Sequence, residues 1–491
     1  MPSVQTISIG AKLKETGRHS IIYGFGSVAQ SAVSLILLPI LTSSLSKVDF
    51  GAYSLITMAS AIASAVFYLG MTSALPRSYF DYESIDDRSA VFTTAFLILF
   101  LGACLQAWLG YCYSNEIANL LLGNRVYADA VTWALVGGAF GFINQYLFSY
   151  LRMLRKSIAA VIFSLISLVG SIALTFLILS WKPSNVVAPF EAITYAQFAI
   201  TIIFILVYGS TALSLKLKTE ETFKLFHFGL ASIIASFGHM FLESADRFII
   251  EHFMTLTDVG VYSAAFRVGM LINVVLILPF SQIWSPMIIE YKNNDNIAGL
   301  FKIVLSIFMV IGWIMVAAAA LFAQEVLGLL IRSGVDSTMV VVFIIAMAGQ
   351  LLYSTTNFVS AGLIYERKVF RISFVYYGVA FMKTILGMII IPVYGLTGAA
   401  FLAFAAYILV PAGIYGLAKK YFSFPIDWYR LGNLLILILP SVFCGLYSAV
   451  YGNVHFIYRV ILFCLSLMLI YHKCLTDLEK RRLMDYFINK G

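Results

Sequence analysis

The sequence predicts an all-α integral membrane protein of about fourteen transmembrane helices, arranged as two six-helix lobes in parallel repeat followed by two C-terminal helices. Three observations predict it. The chain is 61% hydrophobic and 11% charged over 491 residues, with a mean hydropathy of +0.92, whereas soluble domains carry roughly 25% charged residues. Apolar stretches of about twenty residues, enough to cross a bilayer as a helix, recur along the whole length. A six-residue motif from the first part of the chain returns 209 positions later (258 − 49).

The spans are expected near 20–41, 51–72, 91–112, 129–150, 158–180, 191–213, 226–250, 258–283, 299–322, 338–363, 370–391, 395–417, 431–450 and 455–473. Placing the amino terminus in the cytoplasm leaves about 24 Lys and Arg on the inner side. Five fall outside, namely Lys47, Arg125, Lys182, Arg332 and Arg459. That asymmetry obeys the positive-inside rule, so both termini and the loops holding Arg155 and Arg367 are expected in the cytoplasm. The formal charge of +8 is therefore a topology signal and implies no nucleic-acid partner. The first span, preceded by Lys12, Lys14 and Arg18 and lacking an A-x-A cleavage pattern, reads as a retained helix. Residues 476–491 read as a basic amphipathic helix on the cytoplasmic leaflet.

Chemistry by a known catalytic motif is not expected. Linkers of at most about seventeen residues leave no room for an extramembrane catalytic domain, and no Walker A, H-E-x-x-H or G-x-S-x-G pattern occurs. Cys104, Cys112, Cys444, Cys464 and Cys474 are odd in number and lack C-x-x-C spacing, which argues against a disulfide framework or metal site. His227 and His239 have no second ligand at usable spacing and read as packed or interfacial. Neither an enzyme, a cofactor nor a metal is predicted, and function falls among the helices. There Pro39, Pro279 and Pro411 each remove a backbone donor within a span.

The repeat extends beyond its motif. Asp49-Phe-Gly-Ala-Tyr-Ser54 is answered by Asp258-Val-Gly-Val-Tyr-Ser263, Pro76 by Pro286, and Phe80-Asp-Tyr82 by Ile289-Glu-Tyr291. Arg155-Lys156 is answered by Arg367-Lys368 at an offset of 212 (367 − 155). Six spans separate equivalent helices, so the copies run in the same direction. An N-lobe over 1–213 and a C-lobe over 214–420 follow, with 421–491 holding two extra spans and the basic tail. A parallel repeat places a substrate site between the lobes.

Charge inside a span costs about 2.5–3.5 kcal/mol on insertion scales and so marks function or pairing. Glu243, Asp246 and Arg247 fall in the seventh span, with Glu243 and Arg247 four apart on one helix face. A self-neutralised pair is as good a reading of them as a functional one. Arg267 in the eighth span and Lys383 in the eleventh lie deep and have no acid three or four residues away, which favours a cavity. The amides Gln30, Asn144, Gln145, Gln197, Asn273, Gln350 and Asn357 read as interhelical glue.

Taken in order, Leu37-Leu-Pro39, the two Asp-x-Gly-x-Tyr-Ser motifs, Pro76-Arg-Ser-Tyr-Phe80, Asp246-Arg247 and Ile391-Pro-Val-Tyr-Gly-Leu-Thr-Gly-Ala-Ala400 resemble one known group. It is the polysaccharide transporter branch of the multidrug/oligosaccharidyl-lipid/polysaccharide (MOP) exporter superfamily, which includes O-antigen flippases of the Wzx type. The resemblance implies a V-shaped, two-lobed transporter in the bacterial cytoplasmic (inner) membrane. It would move undecaprenyl-diphosphate-linked oligosaccharide, as in lipopolysaccharide biosynthesis, by alternating access. It further implies a cationic cavity for the diphosphate, with Arg247 and Arg267 matching its basic positions, Lys383 added by its depth, and Glu243 and Asp246 as charge or coupling partners. Lipid-linked oligosaccharide and membrane lipids are the partners implied, with H+ or Na+ coupling and association with a polysaccharide polymerase or chain-length proteins left open. Two alternatives stand beside it: a multidrug/cation antiporter of the same superfamily, and a membrane glycan polymerase or glycosyltransferase, which the short outer loops disfavour.

Overall fold

The structure is a computed structural model and describes residues 26, 28–33, 35–292, 296–452 and 454–474. Lys12, Lys14, Arg18 and the tail at 476–491 lie outside the described residues. Among those described the chain is helical throughout, without strands, and it forms two compact units, Met1–Gly260 and Val261–Gly491.

The first unit holds α1 (Val28–Ser44), α2 (Lys47–Phe67), α3 (Met71–Tyr79), α4 (Ile85–Cys112), α5 (Ser114–Leu122), α6 (Ala128–Met153), α7 (Ser157–Trp181), α8 (Val187–Ala212) and α9 (Thr219–Phe253). The helix α10 (Leu256–Gly269) begins in it. Its core is an aromatic column on α4, α6 and α8. Phe92 lies 4.4 Å from the Tyr150 ring and 5.0 Å from Tyr146, and the Tyr146 hydroxyl donates to the Phe92 carbonyl at 2.8 Å. A buried phenol needs such a partner. Leu101, Trp108 and Leu206 are exposed, the arrangement expected of a chain whose solvent is hydrocarbon.

The second unit continues through a π-helical turn (Asn273–Ile277), α11 (Leu278–Glu290), α12 (Ile297–Leu321), α13 (Ala323–Leu330), α14 (Ser337–Tyr353), α15 (Thr356–Val359), α16 (Ala361–Tyr365), α17 (Phe370–Ala418), α18 (Trp428–Tyr451) and α19 (Phe456–Cys474). Trp284 anchors it, packed on Phe301 and Phe358 at 4.8 and 5.0 Å, with its indole N–H on the Asn357 carbonyl at 3.2 Å.

Among the described residues twelve helices are long and apolar enough to cross a membrane, which together with the fold makes this a multi-pass membrane protein. The sequence count of about fourteen stays an expectation. One of the twelve, α17, has 49 residues, which as one straight helix at 1.5 Å per residue would measure about 74 Å, against a hydrocarbon core of about 30 Å. It bends at Gly395 (φ 59°, ψ −144°), where the sequence reading separates two spans. The first expected span is described only from Gly26.

The repeat is visible in local backbone chemistry. Ser46 caps α2, its hydroxyl accepting from the Asp49 amide at 3.1 Å and donating to the Asp49 carboxylate at 2.7 Å. At the 209 offset Thr255 does the same for α10 with Asp258, at 3.3 and 2.6 Å. The Asp258 carboxylate also accepts from the Thr255 amide at 3.1 Å. Asp258 is thus the far member of a capping box, three residues after the cap, and Asp49 holds the same place bonded to the Ser46 hydroxyl.

The motif glycines are explained by close approach. A Cβ on Gly51 would strike the Leu256 carbonyl oxygen, and one on Gly260 the Lys47 carbonyl oxygen. Backbone cannot yield as a side chain can. Gly260→Ala is therefore expected to lower the melting temperature in detergent: overpacking of about 1–3 kcal/mol exceeds the roughly 1 kcal/mol of helix propensity gained. An unchanged or higher melting point would contradict the contact.

In the second unit Arg459, 4% exposed, ties α19 to α12 and α13. Its guanidinium reaches both Glu325 carboxylate oxygens at 2.7 and 2.9 Å and the Leu321 carbonyl at 3.0 Å. Burial pushes the Glu325 carboxyl up, but the hydrogen bond from Arg459, with its charge, more than offsets this and holds the pKa below its ordinary value. A depressed carboxylate stabilises the fold above its unfolded pKa of about 4.3, and that contribution is lost as pH falls through the folded value. Arg459→Ala is expected to cost about 1–3 kcal/mol, reduced because Glu325 is half exposed. It should also flatten the fall in melting temperature below about pH 4.

Candidate functional site

The described residues enclose a cavity of about 570 Å³ in the first unit, bounded by the α2–α3 break, α6 and α9. The break is its origin. After Tyr68 the chain passes through Leu69 (φ 54°) and Gly70 (φ 64°) before helix resumes at Met71. Gly70 is pressed against the Gly229 backbone of α9, and Gly229 in turn against the Leu69 carbonyl. A leucine in the left-handed region costs on the order of 1–3 kcal/mol, a strain that gathers at functional sites. Irregular backbone within a membrane span is tolerated where it is buried in protein or lines a cavity.

The lining mixes apolar surface from Ala61, Ala65, Phe142, Ile233, Phe237 and Met240 with polar side chains, and it holds no Asp, Glu, Lys or Arg. Ser64, Tyr68 and Thr72 flank the break, Gly141 and Gln145 come from α6, and Ser232, Ser236 and His239 from α9. The Tyr68 hydroxyl is buried without a partner of hydrogen-bonding geometry, the Thr72 backbone lying nearby. A hydroxyl is both donor and acceptor, so this one has hydrogen-bonding capacity to offer a ligand. Gln106, fully buried on α4, donates to the Ser64 hydroxyl at 3.1 Å and to the Leu135 carbonyl at 2.8 Å, which fixes Ser64 from behind. Ser232 and Ser236 donate to carbonyls one turn back, at 3.1 and 2.9 Å, leaving oxygen lone pairs for a ligand.

A second cavity of about 400 Å³ adjoins this one, sharing Gly141 and Gln145. Its wall is an amide network. Asn144 donates to the Gln197 side chain at 2.7 Å and accepts from Thr201 at 3.0 Å, and Gln30 donates to Ser164 at 2.8 Å. These three amides are the interhelical glue the sequence predicts, whereas Gln145 is exposed within the cavities. Arg152, at the end of α6, brings a cation to the second cavity.

The sequence-selected charges divide between the units. Glu243, Asp246 and Arg247 continue α9 beyond the cavity. Glu243 follows His239 by four residues and Arg247 follows Glu243 by four, so one face carries cavity lining and then charge. Asp246 and Arg247 are buried at 1% and 6% exposure, and Arg247 donates to the Glu243 backbone carbonyl at 2.8 Å. In the second unit Arg267 is half-buried near the end of α10. Lys383, in the first third of α17, is 1% exposed and so does not face lipid.

Offset comparison of the copies explains where the space arises. Gly137 and Gly349, 212 apart, both lie at tight helix contacts, against Thr194 and against Tyr407. At the same offset Gly141 corresponds to Tyr353 and Gly138 to Gln350; at 209, Ser64 corresponds to Asn273. In the second unit those positions are filled: Asn273 donates to Gln350 at 3.2 Å and the Tyr353 hydroxyl meets that of Tyr376 at 2.8 Å. The first unit has serine and glycine there, and a hollow. Tyr68, Ser64, Thr72, Ser232, Ser236, Gln106 and Gly141 were not singled out from sequence. The available signals were the Gly137-Gly138 and Gly141 spacing in α6 and the i, i+4 serines of α9.

Residues 16–292 match the family described as polysaccharide biosynthesis protein. No curated protein sequence matches the chain. The fold is similar to that of the lipid II flippase MurJ in its inward closed conformation, with a TM-score of 0.72 and 16% identity, covering 91% of this chain and 98% of that one. It is also similar to an inward-facing multidrug resistance MATE family transporter of the MOP superfamily (TM-score 0.64, 15% identity, 83% and 96% coverage). A MOP superfamily transporter from Pyrococcus furiosus is similar too (0.57, 15%, 86% and 96%). At these identities the likeness shows the fold.

Proposed function

The chain belongs to the polysaccharide biosynthesis protein family, and from that premise we propose that it is a flippase. It carries undecaprenyl-diphosphate-linked oligosaccharide across the cytoplasmic membrane by alternating access. The observation that carries this reading is the cavity at the α2–α3 break, whose wall sets hydroxyl and amide side chains among apolar and aromatic ones and holds no Asp, Glu, Lys or Arg. A glycan offers hydroxyls that donate and accept and carbon faces that pack on rings. Ser64, Thr72, Gln145, Ser232 and Ser236 supply the first complement, while Tyr68, Phe142 and Phe237 supply the second. The volume lies within the range of about 300–1,000 Å³ typical of ligand sites.

The diphosphate needs a different environment. In this reading Arg267 and Lys383 of the second unit are the candidates to receive it through charge-assisted hydrogen bonds, and Arg247 of the first unit, its charge moderated by Glu243 and Asp246, is a candidate by itself. Turnover requires that these contacts differ between the inward- and outward-facing states, since equal affinity for both shifts no equilibrium. A cationic drug would be better served by carboxylates, and the cavity lining has none.

Reconstitution into vesicles tests the proposal. The protein should speed transfer of a fluorescent undecaprenyl-diphosphate oligosaccharide between leaflets, and Tyr68→Phe, which removes only the orphaned hydroxyl, should slow it about fivefold to tenfold. Transport of a cationic dye with no acceleration of the lipid-linked glycan would overturn the reading in favour of an antiporter.

A further inference from the structure

A second polar cluster lies in the second unit, where α16 passes into α17, apart from the residues assigned to transport above. The chain leaves α16 through Arg367 at φ 54°, with the Lys368 amide reaching back to the Leu363 carbonyl at 2.8 Å. Glycine is usual at this position of a helix end, and a side chain there costs about 1–2 kcal/mol. The first copy repeats the device: Arg155 has φ 57° and the Lys156 amide reaches the Leu151 carbonyl at 2.9 Å. In both, the lysine that follows lies over a tyrosine ring, Lys156 at 4.8 Å from Tyr208 and Lys368 at 4.3 Å from Tyr421.

The second copy adds cations. Arg371, in the first turn of α17, donates to the Tyr421 hydroxyl at 3.0 Å. Lys292 lies 5.4 Å over the Tyr365 ring and donates to the Tyr365 carbonyl at 3.1 Å. Glu366 pairs with Lys368 at 3.9 Å, one carboxylate beside the three cations Lys292, Lys368 and Arg371. The hydrogen bond from Lys368, with the charges of Arg371 and Lys368, holds the Tyr421 hydroxyl below its ordinary pKa. Next to the cations the surface turns apolar: Val369, Phe370 and Phe374 are 50%, 50% and 65% exposed, the two rings 5.4 Å apart.

We propose that Lys368, Arg371 and Tyr421 form a binding site for the phosphate of an anionic bilayer phospholipid, whose acyl chain lies along Val369, Phe370 and Phe374. Tyr421 fixes both cations in one place, so little side-chain entropy is lost when the phosphate arrives, and the remaining guanidinium donors suit its oxygens. The adjoining apolar face selects a lipid over a soluble phosphate. This site is independent of the transport cavity.

Native mass spectrometry of the full-length protein with added phosphatidylglycerol tests it. Lys368→Ala and Arg371→Ala should each weaken retention about fivefold and the pair about 25-fold, from about 1 kcal/mol per cation near an anionic lipid. Arg125→Ala with Lys182→Ala, which removes the same charge elsewhere, should leave retention unchanged, and none of these exposed substitutions should alter the melting temperature. Four results overturn the proposal. They are full retention by the Lys368/Arg371 pair variant, equal binding of phosphatidylcholine, complete displacement by inorganic phosphate, and preference for a polyprenyl diphosphate over phosphatidylglycerol.

Discussion

A tyrosine at position 141 is expected to abolish transport while leaving the protein as stable as before. A Cβ on Gly141 meets nothing within 4 Å, and the residue lines both cavities of the first unit, so the ring would enter open space instead of packed core. Replacing a helical glycine also recovers up to about 1 kcal/mol of propensity. The second copy already carries this side chain, for Tyr353 stands at the equivalent position and packs 5.2 Å from the Tyr407 ring. Gly138→Tyr is the contrast. There a Cβ would meet the hydroxyls of Ser60 and Ser64 and the Gln106 amide, so melting temperature should fall together with transport. Gly141→Tyr should reduce vesicle transport of the lipid-linked glycan by 100-fold or more, about 3 kcal/mol on the barrier, at unchanged melting temperature. Undiminished transport would show that the substrate does not occupy this cavity.

What could be read from sequence follows from what violates a simple pattern. Glu243, Asp246, Arg247, Arg267 and Lys383 stood out because charge in an apolar span is costly. The repeat stood out because Asp49 and Asp258 hold the same place three residues after a helix cap, a spacing fixed by the first helical turn. Arg155 and Arg367 marked a helix end without revealing its left-handed backbone, since arginine there breaks the usual preference for glycine. The cavity was illegible for the opposite reason. It is made of what is missing, glycines and serines scattered over α2, α6 and α9, and its helix break carries Leu69-Gly70 where the second copy has Pro279 to announce one. Gln145 and Asn144 are adjacent and chemically alike, yet one is exposed in the cavities and the other binds Gln197. Only the direction in which a side chain leaves its helix separates them.

Loss of the Arg267 charge is expected to have the other large effect. A diphosphate cannot enter hydrocarbon bare, and fixed cations in a low-dielectric groove replace hydration it would otherwise keep. Lys383 is almost wholly buried, which leaves little of its ammonium open to a ligand, so it is poorly suited to act alone. Arg267 is half-buried and, among the described residues, has no hydrogen bond or ion pair, so its planar fork is available to two phosphate oxygens at once. Arg267→Ala should then abolish polysaccharide export at normal membrane abundance. Arg267→Lys should retain part of it, because charge survives where the bidentate geometry does not. Lys383→Met, which keeps the volume of the buried chain, should weaken export without lowering the amount of inserted protein. The order wild type, Arg267→Lys, Arg267→Ala, measured as surface polysaccharide per inserted molecule, distinguishes a phosphate-binding role from a packing one. Packing would be damaged by both substitutions, and the melting temperature would follow. Full surface polysaccharide in Arg267→Ala would remove the cation from the transport path and leave the uncharged cavity of the first unit as the element that recognises substrate.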